Sequence, residues 1–419
     1  MSRVFEEEAV VGGAELKARF ARAERRKRMN ALLLVMPLFL FICLTFLAPV
    51  GEMLFRSVDN TFIHGALSET RKALAGWDAD SEELPPSEAF AALIEDAKRG
   101  AKDKSITKVG QRLNYNISGV SSVFRRTARR VQKIPDDVAD PRAALIDIHE
   151  KWGELEIWRG IKFFSEPYTD AFYMDAVDYR YSASENRHIH KGDESVYIRL
   201  FWRTLLMSMA ITLLTFLMGY PTAFLLANLP SRRANILLIL VLLPFWTSLL
   251  VRTTAWIVLL YSEGVINDIL ATFFGEDARA ELIHNQTGTI VAMTHILLPF
   301  MVLPLYSVMK TIPPSYMRAA RSMGAGAFTA FRRVYFPQTT PGIGAGAILV
   351  FILSIGYYIT PELVGGADGT FISNRIAYHI RSSGNWGLAA ALGLMLLAVV
   401  LMLYWCYDKI VGIQNMKLG

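Results

Sequence analysis

Six apolar runs, each about 20 residues long, constrain this chain more than any other feature. A helix of that length crosses the roughly 30 Å hydrocarbon core of a bilayer. A soluble fold of 419 residues would have too little interior to bury them, since 53% of the chain is hydrophobic. The predicted spans are Ala31–Phe55, Thr204–Leu229, Ile236–Tyr261, Gly288–Met309, Gly342–Leu363 and Trp386–Tyr407. The sequence therefore predicts an all-α membrane protein, with the first run as an uncleaved anchor.

Positive charges lie in the short connections that six spans place on one side of the membrane. They occur before the first span, at Arg232 and Arg233 between spans 2 and 3, and in the loop between spans 4 and 5. The C-terminal tail adds Lys409 and Lys417. Because short cytoplasmic loops are enriched in lysine and arginine, both termini are predicted to be cytoplasmic. This topology explains the net charge of +6, so no nucleic-acid partner is predicted.

The polar segment from residue 56 to residue 197 is then predicted to lie outside the cell membrane. Pro85-Pro86-Ser87 predicts a helix start, and a second helical stretch is predicted from Ala143 to Ile161. Aromatic residues such as Phe164 supply a small core. The expected organisation is a cytoplasmic segment (1–30), a first span (31–55), a helical extracytoplasmic insert (56–197) and a five-helix core (198–419).

The common catalytic and cofactor motifs are absent from the sequence. It contains no G-x-x-x-x-G-K-[ST] loop, no G-x-S-x-G elbow, no H-E-x-x-H helix and no C-x-x-C pair. Catalytic residues and a bound cofactor are therefore not expected in this chain. His188 and His190 form an H-x-H pair that either contributes to a metal site or belongs to a solvated loop, and the loop is favoured because no further ligands lie near.

The loop at residues 310–340 is the most informative segment. Ala319 and Ala320 form a smooth surface for close approach, and Gly324 permits a turn between two short helices. Pro337 is predicted to end the second helix. The apolar positions of that helix follow at three-residue steps: Phe328, Phe331 and Val334. Such a pair either inserts into a groove on a partner or is a solvated basic connection, and the pattern alone favours neither.

This segment resembles the cytoplasmic coupling motif of bacterial ABC import permeases: E-A-A, three residues, G, nine residues, I-x-L-P. The positions identical in register are Ala319, Ala320, Gly324 and Pro337. Val334 and Phe336 are conservative replacements, whereas Arg318 stands where the family has glutamate. That substitution reverses a charge. The resemblance implies that Arg318, Phe328, Phe331 and the motif residues contact an ATPase.

Further similarity to spermidine and putrescine permeases covers roughly residues 197–415. It is carried by Gly219–Ala223, Pro244–Ser248, Arg252–Trp256 and Tyr358–Gly366. The resemblance implies a type I importer permease that spans a bacterial inner membrane and is surrounded by membrane lipid. It implies three protein partners: a cytoplasmic ATPase dimer that holds ATP and Mg²⁺, an extracytoplasmic binding protein, and a second permease subunit, expected to be a different chain. The external insert departs from the family.

Several residues within or beside the spans are candidates for the substrate pathway. Glu362 either contacts a cationic substrate or is an interfacial carboxylate, and Arg252 either faces the bundle interior or extends to the membrane surface. The aromatic candidates form either a cation-binding lining or an interfacial belt: Trp246, Trp256, Tyr357 and Tyr358. His295 is expected to be buried. Gly342 and Gly346 predict close helix packing, within the chain or against the second permease.

The resemblance favours polyamines as the substrate, with opines, ferric iron and sulfate or thiosulfate as alternatives. Two other classes of function remain open. A membrane sensor would need a cytoplasmic output domain, and an ion-driven transporter would be expected to have carboxylates near the membrane midplane. The centres of the predicted spans contain no acidic residue. An ABC importer permease is therefore the preferred interpretation.

Overall fold

The computed structural model of the chain describes residues 24–411. Residues 1–23 and 412–419 lie outside the described residues, and with them most of the predicted basic N-terminal segment and the end of the C-terminal tail. The chain divides into two units, residues 1–56 and residues 57–419.

The first unit contains one long helix, α1, at Glu24–Arg56. Its most apolar 18 residues have a mean hydropathy of 2.7, and none of them is buried. A π-helical turn at Cys43–Leu47 interrupts the α-helical hydrogen bonding near the middle. An apolar helix that is exposed along its whole length suits a lipid environment, as predicted for the first span.

The second unit begins with a region of short elements, called the insert below (residues 57–196). Its helices are α2 (Thr61–Ala66), α3 (Ser68–Leu74), α4 (Ser87–Lys102), α5 (Ser105–Leu113), α6 (Val120–Arg130), α7 (Pro141–Ile148), α8 (Leu155–Phe164) and α9 (Ala171–Ala176). Two strands, β1 (Tyr179–Ser182) and β2 (Arg187–His190), form an antiparallel hairpin. Single 3₁₀ turns lie at Val131–Lys133, Glu150–Gly153 and Gly192–Glu194.

Aromatic side chains form the centre of the insert. Phe90, Trp152 and Trp158 are completely buried. The ring centroid of Trp158 lies 4.4 Å from that of Phe90 and 5.7 Å from that of Trp152. The indole nitrogen of Trp158 donates to the Trp152 carbonyl at 2.9 Å, and that of Trp152 donates to the Thr127 hydroxyl at 3.0 Å. The insert is therefore folded around an aromatic core in which both buried indole N–H groups are paired.

Replacing Trp158 with alanine should destabilise the insert by about 3–5 kcal/mol, because a large buried ring is removed and a cavity remains. Faster proteolysis between residues 57 and 196 in the purified full-length protein would measure this change. The control is Tyr168→Ala, since Tyr168 is 61% exposed and its removal should change little. Equal proteolysis of the two variants would contradict the assignment of the core.

Of the two helices predicted in the insert, one is confirmed and the other is wrong. Helix α4 begins at Ser87, directly after the proline pair, as predicted. The continuous helix predicted from Ala143 to Ile161 is wrong, because it is divided among α7, a 3₁₀ turn and α8. His149 adopts an extended conformation (φ −157°, ψ 127°) that ends α7.

Asp178 attaches the end of the insert to the first helix of the membrane core. Its carboxylate is fully buried and accepts hydrogen bonds from the backbone N–H groups of Val196 (2.9 Å), Tyr197 (3.0 Å) and Ile198 (2.8 Å). These donors lie at the start of the helix, where backbone N–H groups have no partner within the helix and favour a negative charge. The carboxylate therefore fixes where this helix begins.

The insert also contacts the start of the last membrane helix. The Phe172 ring lies so close to Gly387 that a Cβ atom on this glycine would come within 2.4 Å of the ring. The Tyr115 hydroxyl donates to the Ser383 carbonyl at 2.9 Å. Together with the Asp178 carboxylate, these contacts join the insert to the first and the last helix of the membrane core.

The membrane core follows as a series of helices of unequal length. They are α10 (Tyr197–Asn228), α11 (Ser231–Leu242), α12 (Leu249–Leu260), α13 (Val265–Phe274), α14 (Gln286–Thr311), α15 (Pro314–Ser322), α16 (Ala327–Gly356), α17 (Ile359–Val364), α18 (Gly366–Gly369), α19 (Ile372–Tyr378) and α20 (Trp386–Val411). Short 3₁₀ turns lie at Leu243–Trp246 and Glu276–Ala278, and π turns at Phe331–Tyr335 and His379–Ser383.

Within residues 24–411, six helical segments are long and apolar enough to cross a membrane, which agrees with the predicted number. They are Glu24–Arg56, Tyr197–Asn228, Leu249–Phe274, Gln286–Thr311, Ala327–Gly356 and Trp386–Lys409. The third predicted span, Ile236–Tyr261, is wrong as one continuous helix. Pro244 lacks an N–H donor, and Thr247 and Ser248 are extended (ψ 146° and 144°), so the chain breaks between α11 and α12.

Three of these helices, α10, α14 and α16, pack closely around Met301. A Cβ atom on Gly219 of α10 would lie 3.0 Å from the Met301 side chain. A Cβ atom on Gly346 of α16 would lie 2.7 Å from the Met301 sulfur and 3.2 Å from its carbonyl oxygen. The two glycines therefore bring the neighbouring backbones close to the completely buried Met301.

Candidate functional site

The loop between α14 and α16 contains a sharp turn at Gly324. Helix α15 ends at Ser322, and Gly324 has a φ of +88°, which residues with a Cβ atom rarely adopt. The N–H of Gly324 donates to the Arg321 carbonyl at 3.0 Å, and that of Ala325 donates to the Ala320 carbonyl at 3.1 Å. These bonds pair carbonyls that the end of a helix would leave free. The helix, glycine turn and second helix match the sequence prediction.

The predicted helix end at Pro337 is wrong. Helix α16 runs from Ala327 to Gly356 and includes Pro337. A π turn at Phe331–Tyr335 precedes the proline, and the Phe336 N–H bonds to the carbonyl of Phe331, five residues back. The wider turn accommodates the missing N–H of the proline without stopping the helix. The second helix of the loop is therefore continuous with a membrane-spanning helix.

An aromatic cluster attaches this helix to α10. The ring centroid of Phe331 lies 5.8 Å from that of Phe224 and 6.2 Å from that of Tyr220. Tyr335, which is buried, lies 5.3 Å from Phe224, and Phe336 lies 5.7 Å from Tyr220. Phe331 therefore contacts the membrane core, and does not belong to a free apolar edge shared with Phe328 and Val334 as predicted.

The exposed apolar edge of the loop consists of other residues. Tyr316 is 50% exposed, Met323 is 82% exposed and Phe328 is 74% exposed. Ala319 is also exposed, whereas Ala320 is buried against the chain. Exposed arginines flank the edge: Arg318, Arg321, Arg332 and Arg333. Such a projecting apolar edge with basic flanks suits a groove on a partner protein.

The glycines of α16 face a helix of the same chain. A Cβ atom on Gly342 would lie 3.1 Å from the Pro304 carbonyl oxygen and 3.2 Å from the Leu305 Cα. Gly346 meets Met301 one turn further along α14. Of the two alternatives for this glycine pair, the structure has the contact within the chain.

Two of the candidate pathway residues, Arg252 and Trp256, lie four residues apart on α12, and Trp256 contacts His295 of α14. The indole nitrogen of Trp256 donates to Nδ1 of His295 at 3.2 Å. Tyr357 directly follows α16 and is half-buried. A charged side chain in a membrane span costs about 2.5 kcal/mol or more when it faces lipid. Arg252 is half-buried, with its Nε atom covered by the chain, and its place in the pathway stays a prediction.

The other pathway candidates are separate from this group. Glu362 is exposed on α17 and accepts a hydrogen bond from the Asn374 amide at 2.5 Å. The Tyr358 ring is covered by Arg381, whose guanidinium carbon lies 5.0 Å from the ring centroid and whose nitrogen donates to the Tyr358 hydroxyl. Trp246 is 68% exposed on the turn after α11.

Comparison with known proteins identifies the family of this chain. Residues 198–411 match the family described as the binding-protein-dependent transport system inner membrane component. The chain belongs to this family. The match begins within the first turn of α10 and ends with α20, so the insert lies outside it.

Two relatives by sequence agree with this assignment, and one solved structure is similar over part of the chain. The spermidine/putrescine transport system permease protein PotB of Haemophilus influenzae is 35% identical over 220 residues, which cover 52% of this chain and 77% of that protein. PotB of Escherichia coli is 33% identical over 222 residues, 52% of this chain and 81% of that protein. A chain of a bacterial alginate ABC transporter crystal structure covers 54% of this chain and 82% of its own length, with 18% identity and a TM-score of 0.45. This chain is an inner-membrane permease subunit of an ABC importer.

Sequence reasoning missed several polar residues of the permease near Tyr358. Asn374 donates to the Tyr358 carbonyl at 2.9 Å as well as to Glu362, and Arg381 covers the Tyr358 ring. The Thr253 and Thr360 hydroxyls lie 3.1 Å apart and link α12 to α17. The one available signal was the high polarity of the connection between the last two spans, which contains both Asn374 and Arg381.

The histidine pair of the insert lies on strand β2. The Nε2 atom of His188 lies 3.7 Å from an Asp170 oxygen, whereas His190 packs against the Tyr179 ring with centroids 5.2 Å apart. Within residues 24–411, no group of three or more histidine, cysteine, aspartate or glutamate side chains could hold a metal ion. A metal role for this pair finds no support there.

His379 should make the permease sensitive to acid. Its ring nitrogens lie 2.9 Å from the Tyr197 hydroxyl and 2.9 Å from the Ser383 hydroxyl. Burial, and secondarily the charges of Arg375 and Lys191, lowers the pKa of His379 from 6.5 to about 4. Between these values the unfolded state binds the proton and the folded state does not, so its contribution to stability is complete above pH 6.5 and declines toward pH 4.

Thermal unfolding of the purified permease at pH 7.5 and pH 5 measures this effect. The difference between the two midpoints should be smaller in a His379→Gln variant, which cannot gain the proton. The same difference in both proteins would show that another group is responsible.

Proposed function

We propose that this permease forms half of the pathway of an importer for small solutes of the polyamine type, such as spermidine and putrescine. The main support for this substrate class is the sequence similarity to a permease that is named for those two solutes. The two chains are 35% identical over 77% of that permease. Exposed Glu362 supports the proposal, because carboxylates bind ammonium groups strongly.

The proposed assembly contains partners of three kinds. A cytoplasmic ATPase dimer binds ATP and Mg²⁺, since the sequence of the permease has no P-loop of its own. An extracytoplasmic binding protein delivers the solute, as the description of the family suggests. A second permease subunit, a different chain, completes the pathway. The membrane-facing helices of this chain leave a large apolar surface for that subunit and for lipid.

In the proposed mechanism, the ATPase dimer contacts the apolar edge of Tyr316, Met323 and Phe328. These side chains are at least half exposed and lie on both sides of the Gly324 turn. The surrounding arginines would pair with carboxylates on the ATPase. Arg318 would then contribute a positive charge where related permeases carry a glutamate.

Movement of the ATPase would reach the membrane helices by two routes. Helix α16 is continuous from the loop into the bilayer, so a rotation of its first turns displaces the whole helix. Phe331 and Tyr335 contact Phe224, so α10 moves with it. Closely packed helices shift as rigid bodies, which supports alternating access by rocking between two states. Solute binding and ATP must favour the same outward-facing state for transport to be directional.

The proposed orientation places both termini and the Gly324 turn in the cytoplasm. The exposed arginines of the loop support this orientation under the positive-inside rule. The insert and the segment from Tyr357 to Asn385 then lie on the outer side, where the binding protein docks. Six spans keep these two surfaces on opposite faces of the membrane.

Reconstitution of the complete importer tests this function. The tagged permease is purified with its associated chains, inserted into liposomes that contain ATP, and supplied with binding protein and labelled putrescine. ATP-dependent accumulation of putrescine is the expected result. Accumulation without a nucleotide-hydrolysing chain would contradict the importer mechanism. ATP-dependent transport without any polyamine uptake would contradict only the substrate class.

Glu362→Gln should reduce putrescine uptake by roughly tenfold or more, because a hydrogen bond to a charged group contributes about 1.5–3 kcal/mol. The ATPase should still co-purify, since the length of the spanning helix α16 separates Glu362 from the Gly324 turn. Asp277→Asn is the control, because it removes an exposed carboxylate from a loop after α13. Unchanged uptake by Glu362→Gln would remove Glu362 from the substrate site.

A further inference from the structure

Positive charges of the insert are concentrated in one pair of helices. The segment from residue 102 to residue 133, called the basic helix pair below, contains α5 and α6. It has nine lysine or arginine residues and one acidic residue, Asp103. The rest of the insert has 11 lysine or arginine residues and 23 aspartate or glutamate residues. The basic helix pair therefore has a net charge opposite in sign to that of the domain around it.

The two helices pack against each other through their apolar faces, and their cations face outward. A Cβ atom on Gly110 of α5 would overlap the Phe124 side chain of α6. All nine basic residues of the pair are exposed. None of the ion pairs between described residues includes Lys108, Arg125 or Arg126. The pair therefore offers an exposed positive surface to an anionic partner.

The connection between α5 and α6 lies beside the start of the last spanning helix. The Tyr115 hydroxyl donates to the Ser383 carbonyl at 2.9 Å, and a Cβ atom on Gly384 would lie 4.0 Å from the same hydroxyl. The spanning segment begins at Trp386, three residues after Ser383. Tyr115 is 41% exposed and Trp386 is 45% exposed, and such aromatic residues are enriched at membrane surfaces. The connection is therefore at the level of the membrane surface.

The nearest cations lie within a short distance of this surface. Lys108 is seven residues before Tyr115, and Arg125 and Arg126 follow Gly119, the residue before α6, by six and seven residues. A rise of 1.5 Å per residue keeps all three within about 11 Å of the connection along their helices. Their long side chains can extend toward the membrane. The Debye length in physiological salt is about 8 Å, so an anionic surface attracts these cations even if the helices stand upright.

An anionic lipid headgroup fits this surface best. Guanidinium groups bind phosphate through two parallel hydrogen bonds. Clusters of about four or more lysine and arginine residues beside a spanning helix are typical of sites for anionic lipids. The positive-inside rule does not oppose such a cluster in the insert, because segments longer than about 60 residues are largely exempt from it. The bilayer also adjoins the connection permanently, whereas an acidic protein would do so only while bound.

We propose that the basic helix pair binds the headgroups of anionic phospholipids at the membrane surface beside the last span. The insert then rests on the bilayer through this pair, in addition to its contacts with α10 and α20. The proposal goes beyond the importer function and needs only that the chain spans a membrane.

Photo-cross-linking of the intact importer in nanodiscs tests this proposal. The nanodiscs contain equal amounts of phosphatidylcholine and phosphatidylglycerol, and a trace of one or the other carries a photoreactive group on its headgroup. Cross-links are mapped by mass spectrometry. We expect phosphatidylglycerol to label residues 102–133 at least fivefold more than phosphatidylcholine does. This excess should disappear at high salt, because the Debye length falls to about 3 Å at 1 M.

Arg125→Gln combined with Arg126→Gln should remove most of the excess labelling, because each cation near an anionic surface adds to the attraction. The matched control is Arg180→Gln combined with Arg187→Gln. It also removes two exposed arginines of the insert, but both are paired with glutamates, at 3.0 Å and 2.5 Å. The control should keep the wild-type labelling.

Equal labelling of the wild-type helix pair by both lipids would overturn the proposal. If the Arg125 and Arg126 variant then also bound the extracytoplasmic binding protein more weakly, the surface would belong to an acidic protein and not to lipid. The same loss of labelling in the test and control variants would overturn it as well, since a general loss of charge would explain both. None of these results affects ATP-dependent putrescine uptake, which tests the importer function separately.

Discussion

Replacing Gly324 with valine should separate the ATPase from the permease. The φ of Gly324 is +88°, a conformation that costs a residue with a Cβ about 1–3 kcal/mol, and more for a β-branched side chain. A Cβ at this position would meet no atom within 4 Å, so the strain arises in the backbone alone. The strained turn would change the angle between α15 and α16, and with it the positions of Met323 and Phe328. We expect the amount of co-purified ATPase to fall at least tenfold.

Gly326→Val is the matched control for this variant. Gly326 lies two residues further on, has an ordinary φ of −63° and would also meet no atom within 4 Å. It accepts a Cβ without backbone strain, so the ATPase should be retained. Equal loss in both variants would mean that added bulk on the loop surface, and not the shape of the turn, disrupts the contact. Retention in both would contradict the role assigned to the turn.

Gly346→Leu should destabilise the membrane core. The new side chain would overlap the Met301 sulfur, and its Cβ would come within 3.2 Å of the Met301 carbonyl, which cannot move without displacing α14. Overpacking of this kind typically costs 1–3 kcal/mol, and contact with a backbone atom raises the cost. The midpoint of thermal unfolding of the purified permease should therefore fall by several degrees, roughly 2–4 °C for each kcal/mol in a chain of moderate size.

Gly356→Leu is the control for this second variant. Gly356 is the last residue of the same helix and is exposed, and a Cβ there would meet nothing within 4 Å. Its replacement should leave the unfolding midpoint nearly unchanged. A comparable decrease in both variants would show that α16 tolerates no leucine substitution and would remove the support for close packing at Met301.

The positions of the spans could be predicted because the lipid imposes one strong rule, a helix of about 20 apolar residues. The positions at which those helices break could not be predicted. Pro244 interrupts the segment that was predicted as the third span (Ile236–Tyr261). Pro337, in contrast, lies within a continuous helix because a π turn precedes it. Proline thus breaks one helix and is accommodated within another. Which outcome occurs depends on neighbouring packing that a single sequence does not display.

The shape of the loop around Gly324 could be predicted from local chemistry, because the turn depends on the backbone of a few adjacent residues. The orientation of Phe331 could not be predicted, because it depends on contacts with Phe224 and Tyr220, which lie more than one hundred residues earlier in the chain. The contact between Trp256 and His295 and the covering of Tyr358 by Arg381 are long-range in the same way. Residue patterns therefore identified the candidates, and packing determined which of them meet.

Cross-linking from residue 328 tests the central claim most directly. Phe328 is 74% exposed beside the Gly324 turn, so a photoreactive residue can replace it without disturbing the core. The account predicts a cross-link to a nucleotide-hydrolysing subunit on the cytoplasmic side, formed in the intact importer and lost in Gly324→Val. Labelling of residue 328 by a membrane-impermeant reagent from the outer side of intact cells would contradict it.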